Sequence, residues 1–193
     1  MELFGDRVEV MARYAEFLAT AGVERGLIGP REVPRLWKRH LINCGAMLPR
    51  VANGATVADV GSGGGLPGLV WAIARPDLAV TLIEPLLRRT VFLQEAVDVL
   101  ELSNVEVLRA RAEDVDRRFE VVTARAVAPL AKLVRWCLPL VAPGGVLLAL
   151  KGRTAGDEVE RDRADVERAG GRSIVVSTWG PAEDPTTVVE VSR

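Results

Sequence analysis

The chain has 193 residues, of which 49% are hydrophobic and 5% aromatic, and this composition predicts one globular unit with an aliphatic core. Its formal net charge of −1 gives no global attraction to nucleic acid, so any such site must be a local basic patch. The start of the chain lacks the features of a signal peptide, and no apolar run reaches the ~20 residues of a membrane span. Cys44 and Cys137 match no metal-binding spacing. We therefore expect a cytoplasmic protein with no metal and no membrane contact, and a monomer.

The first quarter of the chain is predicted to be helical. Apolar residues recur at helical spacing from Val10 to Leu18. A second helix is expected to begin near Pro30, because proline is favoured in the first turn of a helix. We predict a helical extension over residues 1–54 that packs on a core formed by residues 55–193.

From residue 57 onwards, short apolar runs alternate with helix-compatible segments, which is typical of a mostly parallel sheet with helices on both faces. The predicted strands span residues 57–60, 79–83, 105–108, 119–123, 145–150, 173–178 and 187–191. The predicted helices between them span residues 69–74, 86–100, 130–140 and 157–169. The last two strands flank a loop with two prolines and should form a terminal hairpin. The sequence thus predicts a seven-stranded, Rossmann-like α/β fold.

The most informative segment is DVGSGGGLPG at residues 59–68, where a strand runs into a glycine cluster. Such a turn lets the backbone approach a nucleotide-like cofactor closely. The glycines that begin at Gly63 match the dinucleotide pattern G-x-G-x-x-G, whereas those that begin at Gly61 match the looser G-x-G-x-G of S-adenosylmethionine enzymes. The second register fits better because the strand ends at Val60, and the Asp59 carboxylate suits a cationic ligand better than a pyrophosphate. We predict S-adenosylmethionine; a dinucleotide and a turn without cofactor are the alternatives.

Two acidic residues follow the second and third predicted strands. Glu84 lies about 20 residues after the glycine turn, where a carboxylate commonly binds ribose hydroxyls. Glu113 lies in the loop after the third strand, where an acid is placed to meet an adenine amino group. The alternatives are a solvated acid at a helix start for Glu84 and an acid that favours a helix dipole for Glu113.

Basic residues cluster in two places. The run RLWKRH at residues 35–40 combines cations with Trp37 and predicts phosphate contacts with base stacking. A solvated amphipathic face with Trp37 in the core is an equal alternative. Arg125, Lys151 and Arg153 follow the fourth and fifth strands, whose carboxyl ends line the ligand crevice of open α/β sheets. A cation there would meet RNA phosphate or the cofactor carboxylate.

Taken together, these segments make the chain resemble the RsmG (GidB) family of bacterial methyltransferases over essentially its whole length. DVGSGGGLPG is the most specific match, and RHL at 39–41, RA at 125–126 and LKG at 150–152 add to it. The resemblance implies the class I fold of enzymes that depend on S-adenosylmethionine, and methyl transfer to N7 of one guanine in 16S rRNA. The family's cofactor positions fall on Gly61, Leu66, Ala112, Glu113 and Arg125, to which the turn and the second strand add Gly63 and Glu84. The family often has Asp-Ser where this chain has Asn43 and Cys44.

The predicted chemistry needs no general base. Guanine N7 carries an available lone pair, and the chain has a single histidine, His40, with no evident acid–base pair, so we name no catalytic residue. His40 would touch cofactor or RNA, or make a structural hydrogen bond. The chain also lacks the Asn/Asp-Pro-Pro-aromatic motif of enzymes that methylate exocyclic amino groups; it has Thr-Ala-Arg-Ala at residues 123–126.

The expected partner is therefore the 16S rRNA of the small ribosomal subunit. The candidate RNA contacts are Arg39, His40, Lys151 and Arg153. Three alternatives remain open from the residues alone: a methyltransferase of a small molecule, a ribosome-binding protein without catalysis, and a dinucleotide oxidoreductase.

Overall fold

A computed structural model describes residues 2–193 of the chain. Its centre is a seven-stranded sheet in the order β3-β2-β1-β4-β5-β7-β6. Strands β1 to β5 run parallel, and β7 is antiparallel to both β5 and β6. The strands span Thr56–Val60 (β1), Ala79–Ile83 (β2), Val105–Leu108 (β3), Phe119–Arg125 (β4), Val141–Lys151 (β5), Ser173–Trp179 (β6) and Thr186–Ser192 (β7). The predicted fold class, including the terminal hairpin, is confirmed.

Helices cover both faces of this sheet. They span Val8–Phe17 (α1), Asn43–Gly45 (α2), Gly68–Ala74 (α3), Leu87–Leu100 (α4), Leu130–Cys137 (α5) and Ala155–Arg168 (α6). One buried apolar cluster joins α1, α3 and α4 to one face, and a second joins α5 and α6 to the other. Neighbouring strand residues divide between these clusters, as with Val57 and Ala58 of β1, because successive side chains of a strand point to opposite faces.

The N-terminal segment is less regular than the two helices that the sequence predicts. Around α1 and α2 the chain forms 3-10 turns at Glu2–Arg7, Pro30–Arg35 and Leu48–Arg50, and π-helical turns at Leu18–Gly22 and Leu36–Ile42. Pro34 interrupts the second helical segment, because proline has no N–H to continue the hydrogen-bond ladder. Two hydrogen bonds fix this segment to the sheet side: Tyr14 Oη donates to Gly64 O at 2.7 Å, and Trp71 Nε1 donates to Cys44 O at 2.7 Å.

Strand β5 begins at Val141, earlier than the predicted start at Gly145. Its pairing with β4 shifts register between Phe119 and Val121, so the segment around Pro143 and Gly144 forms a bulge rather than a preceding turn. A Cβ on Gly145 would lie 2.6 Å from Glu120 O, so only glycine permits this close strand contact.

The order of the strands in the sheet predicts where a ligand crevice lies. The chain builds β1, β2 and β3 outwards in one direction and then crosses to β4 on the other side of β1. In open α/β sheets, ligands bind outside the carboxyl ends of the strands at such a switch point. Within residues 2–193, no helix is both long and apolar enough to cross a membrane.

Candidate functional site

A cavity of about 730 Å³ lies at the carboxyl ends of β1, β2 and β4. All the residues predicted from the sequence to bind the cofactor line this cavity, namely Gly61, Gly63, Leu66, Glu84, Ala112, Glu113 and Arg125. These residues come from the carboxyl ends of β1 to β4 and the loops that follow them, and the topological switch point brings them together. The volume falls in the usual range for small-molecule sites, about 300–1,000 Å³.

The glycine turn forms one wall of the cavity and is tightly packed by neighbouring side chains. Gly61, Gly63 and Gly65 all have positive φ, at 71°, 57° and 95°, which side chains with a Cβ rarely adopt. A Cβ on Gly61 would lie 2.9 Å from Val127, and one on Gly65 would lie 2.4 Å from the Leu69 side chain. At Gly63 the nearest atom to such a Cβ is 3.7 Å away. The turn therefore needs glycine for its conformation and packing, and Gly63 leaves its ligand side open.

Glu84 lies at the end of β2 and only 1% of it is exposed. Its carboxylate accepts hydrogen bonds from the backbone N–H groups of Gly63 and Leu86, each at 3.1 Å. The Arg89 guanidinium lies 3.5 Å from the same carboxylate. The alternative of a solvated acid is therefore wrong for Glu84. Arg89, near the start of α4, also lines the cavity.

Asp59 lies beneath the turn, not in the cavity wall. It is fully buried, and its Oδ2 accepts the Gly68 N–H at 3.0 Å, so it binds the first residue of α3. Its Oδ1 is buried and has no hydrogen-bond partner among the described residues. The sequence-based expectation that this carboxylate faces a cationic ligand directly is thus wrong. Burial raises the pKa of Asp59 to about 7, and the bond from Gly68 offsets this only in part.

A chain of three side chains holds Arg125 at the cavity. Arg125 Nη2 lies 2.5 Å from His40 Nδ1, and His40 Nε2 lies 3.0 Å from the Glu32 carboxylate. Burial lowers the pKa of His40, and the Arg125 charge lowers it further, so the imidazole is neutral near pH 7. A neutral ring that accepts at Nδ1 must carry its proton at Nε2, so Nε2–H donates a hydrogen bond to the Glu32 carboxylate. His40 lines the cavity and makes the expected structural hydrogen bonds as well.

The four candidate RNA contacts do not lie together: His40 lines the first cavity, two others line a second cavity, and one lies on the outer surface. Arg39 and Lys151 line a second, smaller cavity, which shares Arg125 and Ala126 with the first. Lys151 is engaged, because its Nζ lies 2.8 Å from Ala128 O and 2.9 Å from the Glu158 carboxylate. Arg153 is exposed and lines neither cavity. Trp37 is 38% exposed and packs edge-on against Phe4, so the alternative that it belongs to the core is wrong.

Several cavity residues were missed by sequence reasoning. Leu27 and Ile28 come from the extension, and Trp136 comes from α5 on the far side of the cavity. No local signal separates these residues from ordinary core residues, because only the packing of distant segments brings them to the site. Within residues 2–193, no group of three or more His, Cys, Asp or Glu side chains is arranged to hold a metal ion.

Comparison with known proteins adds an independent finding. A family model described as GidB, rRNA small subunit methyltransferase G, matches residues 7–183. A protein of Salinispora arenicola named ribosomal RNA small subunit methyltransferase G is 57% identical over 202 residues, covering 99% of this chain and 84% of the relative. A protein of the same name from Corynebacterium glutamicum is 52% identical, covering 100% of this chain and 89% of the relative.

Among solved structures, the S-adenosylmethionine-dependent methyltransferase SibL superposes on this chain with a TM-score of 0.66. The two chains are 17% identical, and the match covers 100% of this chain and 70% of SibL. At this identity the likeness shows a shared fold.

Asp59 is predicted to lower the free energy of unfolding as the pH rises. Its folded pKa of about 7 lies above the ordinary value of 3.8, so between these values the folded protein holds a proton that the unfolded chain has released. The stabilisation is full below about pH 4 and is lost as the pH rises to about 7. Since one pKa unit corresponds to ~1.4 kcal/mol, the loss is about 4 kcal/mol over this range. Urea denaturation at a series of pH values measures it.

The variant Asp59→Asn cannot titrate, so its stability should lack this decrease. Glu113→Gln, which removes an exposed carboxyl from the cavity rim, should keep it. Equal pH dependence in the wild type and in Asp59→Asn between about pH 4 and 7 would show that Asp59 is ionised in the folded protein throughout this range.

Proposed function

This chain belongs to the rRNA small subunit methyltransferase G (GidB) family, and from this premise we propose that it transfers a methyl group from S-adenosylmethionine to N7 of a guanine in 16S rRNA. One observation carries the proposal: the seven residues expected to bind the cofactor line a single cavity at the switch point of the sheet, although they come from the ends of four different strands and the loops after them. The relatives' names favour this function over a small-molecule methyltransferase, a ribosome-binding protein without catalysis and an oxidoreductase.

The cavity fits S-adenosylmethionine. The positive-φ glycines leave room for a ligand against the backbone at Gly63. Glu84, buried at the end of β2, would accept hydrogen bonds from the ribose hydroxyls, and Ala112 with Glu113 would flank the adenine. The adenosine end then lies towards β2 and β3. The methionine end lies towards β4, where Arg125 would meet its carboxylate.

The residues at the β4 end suit a reaction without proton abstraction. When bound, S-adenosylmethionine supplies an electrophilic methyl group on its sulfonium. The protein's task is then to hold the nucleophile, methyl carbon and sulfur in line. Guanine N7 attacks with its lone pair and carries no proton. His40 is not free to act as a base towards a substrate, because both ring nitrogens are occupied by Arg125 and Glu32.

Residues 1–54 serve in this proposal as an extension that completes the site, and residues 55–193 form the catalytic unit. The extension supplies Leu27, Ile28 and His40 to the first cavity and Arg39 to the second. With Lys38 and Trp37 on the same segment, Arg39 forms the exposed basic face that would contact rRNA phosphates. We place the activity in the cytoplasm, where small subunits are assembled, and expect a monomer.

Labelled methyl transfer tests the function directly. Small subunits from a strain that lacks this protein are incubated with the enzyme and S-adenosyl-[methyl-³H]methionine. One guanine of the 16S rRNA should become labelled, and the chain should become cleavable by aniline after borohydride reduction, as N7-methylguanosine is.

Two glycine variants control this experiment. Gly63→Val places a branched side chain on the ligand side of the turn at a φ of 57°, and should lose transfer and cofactor binding. Gly156→Val lies at the exposed start of α6, where a Cβ meets nothing within 4 Å, and should keep both. Label in a small molecule, or in an exocyclic amino group, would contradict the proposal.

The rate of the chemical step should be nearly independent of pH. Because N7 has no proton to lose, the single-turnover rate at saturating cofactor should vary less than about twofold between about pH 6 and 8.5, where an unperturbed histidine would titrate. His40→Ala should weaken cofactor or substrate binding without changing this profile. A rate that rises about tenfold per pH unit below about pH 7, and is flat in His40→Ala, would make His40 a general base and exclude N7 as the acceptor.

A further inference from the structure

The second cavity, of about 300 Å³, lies beside the first on the β4 side. It is enclosed by the carboxyl ends of β4 and β5, by the loop between β6 and β7, and by the extension. Arg125 and Ala126 form the wall that it shares with the first cavity. Ala126 has a φ of 53°, a left-handed conformation that residues with a Cβ rarely adopt, and such strain concentrates at functional sites.

The polar lining of this cavity includes two acceptors. Asn43 Oδ1 is buried and has no hydrogen-bond partner among the described residues. An unpaired buried acceptor is costly, and a ligand donor at this position would satisfy it. Asp184, in the β6–β7 loop, adds a carboxylate, which can only accept hydrogen bonds when ionised. Arg125, in the shared wall, can only donate.

Guanine presents the complementary set of groups. Its N7 and O6 are acceptors on one edge, and N1–H with the N2 amino group are adjacent donors on the opposite edge. If N7 points past Arg125 and Ala126 towards the first cavity, O6 comes to the Arg125 side. The two donors then face away from the first cavity. Adenine would instead offer an acceptor at N1 to the same protein acceptors.

We propose that the second cavity receives the target guanine, turned out of the RNA stack, and that Asn43 together with Asp184 accepts its N1–H and N2–H groups. Enzymes that modify a base commonly take it out of the stack and read its Watson–Crick edge in a pocket. The volume is at the lower end of small-molecule sites, which suits a single base. This inference rests on the proposed function, since it needs N7 to be the acceptor.

Variants of Asn43 test the assignment. Asn43→Leu keeps the size of the side chain and removes the acceptor, whereas Asn43→Asp keeps an acceptor oxygen. We expect Asn43→Leu to lower kcat/KM for transfer to unmethylated small subunits about 10- to 100-fold, because sites built to hydrogen-bond a substrate discriminate strongly when that bond is lost. Asn43→Asp should stay within about threefold of the wild type, and calorimetry should show unchanged affinity of both variants for S-adenosylmethionine.

The contrary outcomes are distinct. Wild-type kcat/KM in Asn43→Leu would overturn the inference and leave the proposed function intact. An equal loss of cofactor affinity would assign Asn43 to the first cavity and would overturn it as well. Failure of the wild type itself to label the rRNA would instead refute the proposed function.

A second measurement does not depend on whether the variants fold. With wild-type enzyme, guanosine 5′-monophosphate should inhibit transfer at least about fivefold more strongly than adenosine 5′-monophosphate, with inosine 5′-monophosphate between them because it lacks the N2 amino group. Equal inhibition by the three nucleotides would contradict recognition of the guanine donors by this cavity.

Discussion

The shape of the site depends on one constraint, the lack of space around Gly61 and Gly65 in the turn at residues 61–65. Val127, Leu69 and Tyr14 approach this backbone so closely that a Cβ on Gly61 or Gly65 would overlap them. Tyr14 also binds Gly64 O, so the extension clamps the turn from the outside. A loop after β4, a helix after β1 and a helix of the extension thus meet on one short backbone segment. The turn that they fix forms one wall of the first cavity.

Two ionisable side chains near the turn, Asp59 and Arg125, are also held by contacts between separate elements. Asp59 holds the start of α3 from below the turn, where burial keeps its carboxyl protonated up to near neutral pH. Arg125 is held from the opposite direction, by His40 and by Cys44 Sγ at 3.0 Å, and both of these residues belong to the extension. The guanidinium is therefore positioned by a part of the chain that is remote in sequence from β4. Removal of the extension would take away both of these hydrogen-bond partners and leave the guanidinium without a fixed position.

The sequence predicted the sheet well because its strands carry their own signals. The apolar runs of β1 to β4 and the hairpin of β6 and β7 fall within a few residues of their predicted bounds. The turn and Glu84 were found because glycine and a strand-end acid have a fixed spacing. The π-helical and 3-10 turns of the extension were not predicted, since tertiary packing rather than local propensity sets them.

The orientation of individual side chains was harder to predict. Asp59 has the residue type expected to meet a cationic ligand, but the pleat of β1 directs it to the buried face beneath the turn. Arg89 resembles any exposed cation at a helix start, and only the close approach of α4 to Glu84 brings it into the cavity. Trp136 reaches the cavity from the opposite face of the sheet. Periodicity gives the face of an element, whereas these positions depend on contacts between elements.

The most direct test of the central claim is a crystal structure with S-adenosylhomocysteine. The arrangement of the cavity predicts that the ribose hydroxyls bind Glu84, that the adenine lies beside Ala112 and Glu113, and that the sulfur lies on the β4 side, next to the wall formed by Arg125 and Ala126. An adenine ring at Arg125, or in the second cavity, would reverse the direction of the cofactor and contradict both the cofactor site and the placement of the guanine.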